Sequence, residues 1–393
     1  MTDISGTGDG RRGLSRRTFV KRGVGLATSI GAVGLLEACG SSGSSSSTQA
    51  TLASSAKPTV NPKVDGDLSW ITLDGFCPPS VVKGFEKEYG VKVTQTFINS
   101  DQEYIQKLSA GVSYDLVKTS PYYLPRAVAG NLLQPFDPGD LKNFSELQPY
   151  FQAPFWDNGK TRYSIIYDWG PDGIMYRTDS VKHVTNSWND MFTNPEAKGH
   201  IYLLDEQGDT LGMSLLSNGK SLNSSNPGDV NAAADKLIKL KPSVASFTDN
   251  QGPPIQSGDA WLAACYPTVV ASGLPQTRHA DTVRVYIPKE GALLGADTLS
   301  IARNAKHPGT ALLFIDWVLR PENSSAIAKF IYTKTGTRAG DEGFATLIDK
   351  YPAADQQAFN YSTDLAAVKD NWKQPQSSTG AMVWNQAWSR VKA

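Results

Sequence analysis

Few residues in this chain have the types and spacing that catalysis needs. Gly219-Lys220-Ser221 has the ending of a phosphate-binding loop. In such a loop backbone amides cradle phosphates and the lysine reaches them. The upstream glycine it requires would stand at 214, where the chain has Ser214, so the reading is discarded. No Gly-x-Ser-x-Gly or His-Glu-x-x-His occurs, so neither a nucleophile elbow nor a zinc-binding helix is signalled. His183, His200, His279 and His307 lie far apart among polar neighbours, as surface or loop residues do. Cys77 and Cys265 can pair, but buried free thiols are the preferred reading. Three cysteines in all exclude a disulfide scaffold and a Cys-rich zinc site.

The most specific local pattern is N-terminal. Ser15-Arg16-Arg17-Thr18-Phe19-Val20-Lys21 resembles the twin-arginine export motif, in which Arg16 and Arg17 are the recognised pair. A weakly apolar run from Gly23 to Leu36 follows, too short to span a bilayer as a stable helix. It ends in Leu36-Glu37-Ala38-Cys39-Gly40, which resembles a lipoprotein cleavage box, with Glu37 in place of the usual small or apolar residue. The expectation is a signal peptide over 1–38, lipid on Cys39 and delivery by the twin-arginine translocase, which carries folded proteins. The alternative is an amphipathic N-terminal helix that stays attached. After Cys39 the serines and glycines cannot bury enough surface to fold, so residues 39–66 are expected to form a flexible tether with a reach of roughly 25 Å for about 20 residues.

The full chain has 393 residues, enough for two or three ordinary domains. Apolar residues make up 40% and charged residues 19%, a globular balance. Basic and acidic residues both number 38, so nothing argues for nucleic acid or an anionic membrane surface. Without the leader, which holds six basic and three acidic residues, 32 basic and 35 acidic residues remain. No apolar run reaches the roughly 18–20 residues of a membrane span, which excludes a multispan protein.

These residues must be positioned by alternating elements. Leu68–Thr72 reads as a buried strand. Pro78-Pro79 opens a helix with Val81, Val82, Phe85 and Tyr89 on one face and Gly90 at its end. Val91–Phe97 alternates as a strand. Ser100 and Glu103 form the pattern of a capping box for a helix that buries Tyr104, Ile105 and Leu108 and stops at Gly111. Asp115–Val117 is the next strand. Helical periodicity returns over Asp229–Leu240 and Gly309–Leu319, and strands over Arg284–Pro288 and Thr298–Ala302. The alternation predicts an α/β body with parallel strands, ordered from Asp67 onward. About 325 residues exceed one ordinary core, so two lobes are expected.

Six stretches carry a resemblance: PPSVVKGFEKEYGVKV (78–93), SYDLVKTSPYYL (113–124), NGKTRYSIIYDWG (158–170), NSWNDMF (186–192), IPKEGALLGADTLSIARNAK (287–306) and ALLFIDWVLRP (311–321). In order and spacing the chain is similar to the bacterial spermidine/putrescine-binding proteins of ABC importers, within family 1 of the extracellular solute-binding proteins. The resemblance implies an α/β, two-lobed periplasmic-binding-protein-like fold of type II, with a hinge of crossing strands and a ligand cleft between lobes. Lobe 1 would hold 67–172 and 298–331, and lobe 2 would hold 173–297 and 332–393. It implies a receptor, not an enzyme, with no cofactor and no metal. Its partners would be a polyamine, a permease and an ATPase, with the membrane reached through Cys39 and the protein lipid-anchored outside the cytoplasm.

A long dication is held by apolar and cation–π contact along its chain and by carboxylates at its ends. The family's carboxylates fall on Glu206 and Asp209 together and on Asp297, its Ser-x-Tyr on Ser120 and Tyr122, its second-lobe aromatic on Tyr266, its C-terminal Gln on Gln374, and its first-loop aromatic on Phe76. Asp74 stands beside Leu73, where the family has Trp, and Gly295 replaces a second Trp. Trp169 either supplies an aromatic wall or packs the hinge. Taken alone, Glu206, Asp209 and Asp297 would be solvated loop acids. Clustered, they repel one another unless a cation joins them. Two other readings stand beside the polyamine receptor. One is the same fold binding another cationic small molecule, and one is an exported hydrolase with a dispersed active site.

Overall fold

Proline at the first turn and a glycine past the last turn bracket helix α1, Pro79–Tyr89. Gly90 takes φ 67° there, the left-handed conformation that glycine adopts at no steric cost, and its N–H returns to Glu86 O. The computed structural model describes residues 60–98, 100–159, 161–359, 361, 365, 369–374 and 378–393. Arg16, Arg17, the apolar run, Cys39 and the serine-rich stretch up to 59 lie outside the described residues.

Ordered packing begins before Asp67. Val60 is buried in the core, and Asp65 accepts hydrogen bonds from Gly309 N at 3.0 Å and Thr310 N at 2.9 Å. That carboxylate satisfies first-turn N–H groups of the helix Pro308–Leu319, distant in sequence. Helix α2, Asp101–Ser109, buries Tyr104, Ile105 and Leu108 as its periodicity predicts. Ser100 is its N-cap residue, but the side-chain bond of a capping box is not made there.

Ten strands form one sheet. They are β1 Leu68–Leu73, β2 Val93–Ile98, β3 Leu116–Thr119, β4 Leu133–Gln134, β5 Ile165–Arg177, β6 Ile201–Leu203, β7 Val244–Phe247, β8 Leu262–Cys265, β9 Val283–Tyr286 and β10 Leu293–Ala302. Their order is β2-β1-β3-β10-β5-β8-β6-β7, with β4 beside β10 and β9 beside β5. β1 runs parallel to β2 and β3, and β6 runs parallel to β7 and β8. The sheet is nevertheless mixed, because β10 is antiparallel to β3 and β5, and β5 is antiparallel to β8 and β9.

The long strand β5 explains this. Its first part, Ile165–Asp172, pairs with β10, and its second part, Gly173–Arg177, pairs with β8 and β9. One strand therefore belongs to both halves of the sheet. β10 is longer than its β-branched end predicts, because Gly295, Ala296 and Asp297 pair with Gly170, Trp169 and Asp168.

Each half has its own packing. One core joins Trp70, Phe85, Phe314 and Trp317 from β1, α1 and the helix Pro308–Leu319. A second joins Trp188, Leu211, Leu215, Leu237 and Trp384, and a third joins Met175, Val270, Phe344 and Phe359. Each fully buried ring contributes about 1.5–3 kcal/mol by leaving water. Cys77 and Cys265 are both buried free thiols. Among the described residues no helix is long and apolar enough to cross a membrane.

Candidate functional site

Acids gather at the start of the helix Gln207–Ser217, where one of them meets a tyrosine. Glu206 is its N-cap residue and accepts from Gln207 N at 3.1 Å. Asp209 lies in its first turn and is 2% exposed. The unsatisfied N–H groups of a helix start favour negative charge there. Tyr266, N-cap of the helix Pro267–Gly273, donates its hydroxyl to Asp209 Oδ2 at 2.7 Å. The third acid, Asp172, closes the β5–β10 pairing and is buried.

A lysine sits among them. Lys373 Nζ pairs with Asp209 and lies 3.8 Å from Asp172. Burial opposes charge on Lys373, but Asp172 and Asp209 outweigh it and raise its pKa. Asp172 is pushed upward by burial and then by Asp209. Glu206 is pushed up to about 8 by burial, with Asp209 and Asp101 adding repulsion.

The first half of the sheet supplies a matching group. Lys118 on β3, only 6% exposed, pairs with Asp101 of α2 at 2.8 Å and with Asp297 of β10 at 2.7 Å. Burial opposes its charge, and Asp101 and Asp297 overcome that and raise its pKa. Burial pushes Asp297 upward against the pull of Lys118. Asp168, across from Asp297 in the β5–β10 ladder, is raised by burial and then by Asp297.

The two groups feel each other. Tyr122 is pushed up to about 12 by burial, then by Glu206 and Asp209. Its ring meets Tyr123 edge-on, with centroids 5.0 Å apart. Glu206, Asp209, Tyr122 and Tyr266 thus belong together, and Asp297 is tied to them only through Lys373 and Asp101, which act on both. Ser120 starts the turn beside them, its carbonyl accepting from Tyr123 N and Leu124 N. Gln374 follows Lys373, and its N–H donates to Asn223 Oδ1 at 2.9 Å.

Other sequence candidates have their own contacts. Phe76 is buried and stacked on Tyr167 at 4.5 Å, and its carbonyl accepts from the Tyr167 hydroxyl. Trp169 packs among Phe151 and Trp372, with Lys334 Nζ 5.0 Å above its ring. Asp74 is exposed. A recess of about 440 Å³ lined by Lys220, Asp229, Lys236 and Lys239 shares none of these residues.

Sequence reasoning missed both lysines and their partners Asp101 and Asp172. Lys118 carried a usable signal: it interrupts an apolar strand, and a charge in a buried strand requires a partner. Lys373 carried none, since its surroundings come from distant segments. No group of three or more metal-ligating side chains occurs among the described residues.

Comparison with known proteins agrees with this architecture. Residues 80–339 match the family model of the bacterial extracellular solute-binding protein. The spermidine/putrescine-binding periplasmic protein of Escherichia coli is 31% identical over 324 residues, covering 81% of this chain and 89% of that protein. The putrescine-binding periplasmic protein of the same organism is 26% identical over 340 residues, with 81% and 89% covered. A solved structure from Listeria monocytogenes, provisionally described as a spermidine/putrescine ABC transporter, aligns with a TM-score of 0.72 at 26% identity, over 83% of this chain and 99% of that one. A lipoprotein of Treponema pallidum shares the fold, with a TM-score of 0.71 at 22% identity over 82% and 98%. The two sheet halves joined by β5 and these matches lead to one conclusion: the chain belongs to the bacterial extracellular solute-binding proteins, two-lobed α/β carriers rather than enzymes.

Proposed function

We propose that this chain is the extracytoplasmic binding component of an ABC importer and that its ligand is an organic amine cation, a polyamine or a less charged relative of one. The observation that carries the reading is the pairing of cleft carboxylates with ammonium groups. Asp209 and Asp297 each hold a lysine Nζ, so the chemistry at this place already recognises that ion. Glu206, Tyr122 and Tyr266 supply a further acid and aromatic surface beside them. The naming of the relatives above points to the same class of ligand. The lobes, 67–172 with 298–331 and 173–297 with 332–393, close on the amine about the β5 and β10 crossing. A permease on another chain receives it, driven by an ATPase on other chains.

A thermal-shift panel with putrescine, spermidine, neutral amino acids, sugars and metal ions tests the reading. A bound ligand stabilises the folded state by mass action. Amines are expected to raise the melting temperature, and a preference for a neutral sugar over every amine would refute the assignment. Delivery is proposed to use Arg16 and Arg17 for export and lipid on Cys39 for anchoring. Cys39→Ala is expected to leave the membrane fraction, and an unmodified Cys39 in native membranes would end that part.

A further inference from the structure

Lys373 lies in a short stretch, 371–374, laid along the start of β10. Its N–H donates to Leu294 O at 3.0 Å, and Asn371 Nδ2 donates to Ala292 O at 2.8 Å. Asn223 holds the same stretch, giving Nδ2 to Trp372 O at 2.9 Å and accepting from Gln374 N at 2.9 Å. The side chain of Lys373 then passes Gly208, where a Cβ would stand 3.8 Å from Cδ. It ends beside Gly295, where a Cβ would stand 3.0 Å from Nζ and 3.1 Å from Cε. A side chain at 295 would crowd the ammonium, so glycine there leaves the room it occupies. Nζ is anchored by Asp209, with Asp172 3.8 Å away and the Tyr266 hydroxyl donating to Asp209. Lys118 neutralises Asp101 and Asp297 in the same manner. Glu206 accepts from Gln207 N and makes no ion pair among the described residues.

We propose that Lys373 is a specificity-determining residue: its ammonium fills the Asp209–Asp172 position that one cationic end of a linear diamine would take, so the cleft selects amines carrying fewer positive charges. This rests on the reading that the cleft takes an amine. A second ammonium arriving at Asp209 must displace a tethered one, which loses little freedom on binding and is always present. Burial favours the outcome too, because an ammonium and a carboxylate that satisfy each other in the interior are costly to separate.

Calorimetric titration of the full chain with putrescine and n-butylammonium tests the proposal. The wild type is expected to bind n-butylammonium at least as tightly as putrescine. Lys373→Met is expected to bind putrescine about tenfold tighter than the wild type, with n-butylammonium changed less than about threefold. Unchanged or weaker putrescine binding in the variant, with amine binding intact, overturns the proposal. If neither form binds either amine, the amine reading of the cleft fails. Thermal unfolding then decides the role of the lysine. Methylammonium chloride, compared with sodium chloride at equal ionic strength, is expected to raise the melting temperature of Lys373→Met and not of the wild type. An equal response in both overturns the proposal. If Lys373→Met does not fold, Lys373→Gln keeps a donor without the charge and is judged by the same criteria.

Discussion

The two lysine-centred groups use the same chemistry on different supports. Lys118 stands on β3, in the interior of the sheet, between a helix acid and an acid of β10. Lys373 stands on a four-residue stretch clipped to the beginning of β10. The first is fixed by the architecture of the sheet. The second is fixed by a few hydrogen bonds and by the room that Gly295 leaves. The difference teaches that one counter-ion is built into the sheet, while the other hangs on a short clipped stretch, where the proposed ligand would compete with it.

The largest effect should come from the sheet-borne lysine. Lys118→Met leaves Asp101 and Asp297 without their cation, and breaking a buried pair in this way costs about 3–5 kcal/mol. Urea denaturation measures it, and a loss below about 1 kcal/mol would break the contrast. Lys373→Met should cost less, about 2 kcal/mol, because Asp209 keeps the Tyr266 hydroxyl and Asp172 takes up a proton. A cost equal to that of Lys118→Met would erase the distinction between the two supports.

A pH effect sharpens the comparison at the acid that has no lysine. Glu206 is raised to about 8 by burial and its acidic neighbours. The folded protein then holds a proton that the unfolded chain releases near pH 4.5, so this group makes stability fall as pH rises from about 5 to 8. An arriving ammonium favours the carboxylate and expels that proton. Amine affinity should therefore rise with pH up to about 8, by about tenfold per unit at most. Titration in two buffers of different ionisation enthalpy reads the proton release, and Glu206→Gln should abolish it. Tyr266→Phe should have the smallest effect, about 1–1.5 kcal/mol, through the lost hydrogen bond to Asp209. No loss of stability would mean that Lys373 alone holds that carboxylate.

Local elements were legible because local rules decide them. Pro79 and Gly90 bracket α1, and the apolar run Gly309–Leu319 falls within the helix Pro308–Leu319. The strand direction was less legible. Alternating strands and helices suggest parallel pairing, but β5 and β10 are antiparallel because they cross between the halves. The acids Glu206, Asp209 and Asp297 were legible only through resemblance, since nothing in their own windows separates them from solvated loop acids. Lys373 was not legible at all: Asp209, Asp172 and Leu294 reach it from three separate segments, and Asn223 holds its neighbours Trp372 and Gln374. A residue whose meaning comes entirely from long-range neighbours leaves no periodic trace.

The tryptophan beside that lysine has a practical consequence. Trp372 is buried against Trp156 and Trp169, with ring centroids 5.3 and 6.1 Å apart, and lies parallel to Tyr150 at 5.8 Å. Rings this close couple as chromophores, and a rigid asymmetric set of them gives a near-ultraviolet circular dichroism band. A solute that moved the 371–374 stretch as it displaced Lys373 would shift the adjoining indole within the set. Near-ultraviolet circular dichroism is therefore a label-free way to ask whether that stretch stays seated when an amine is added.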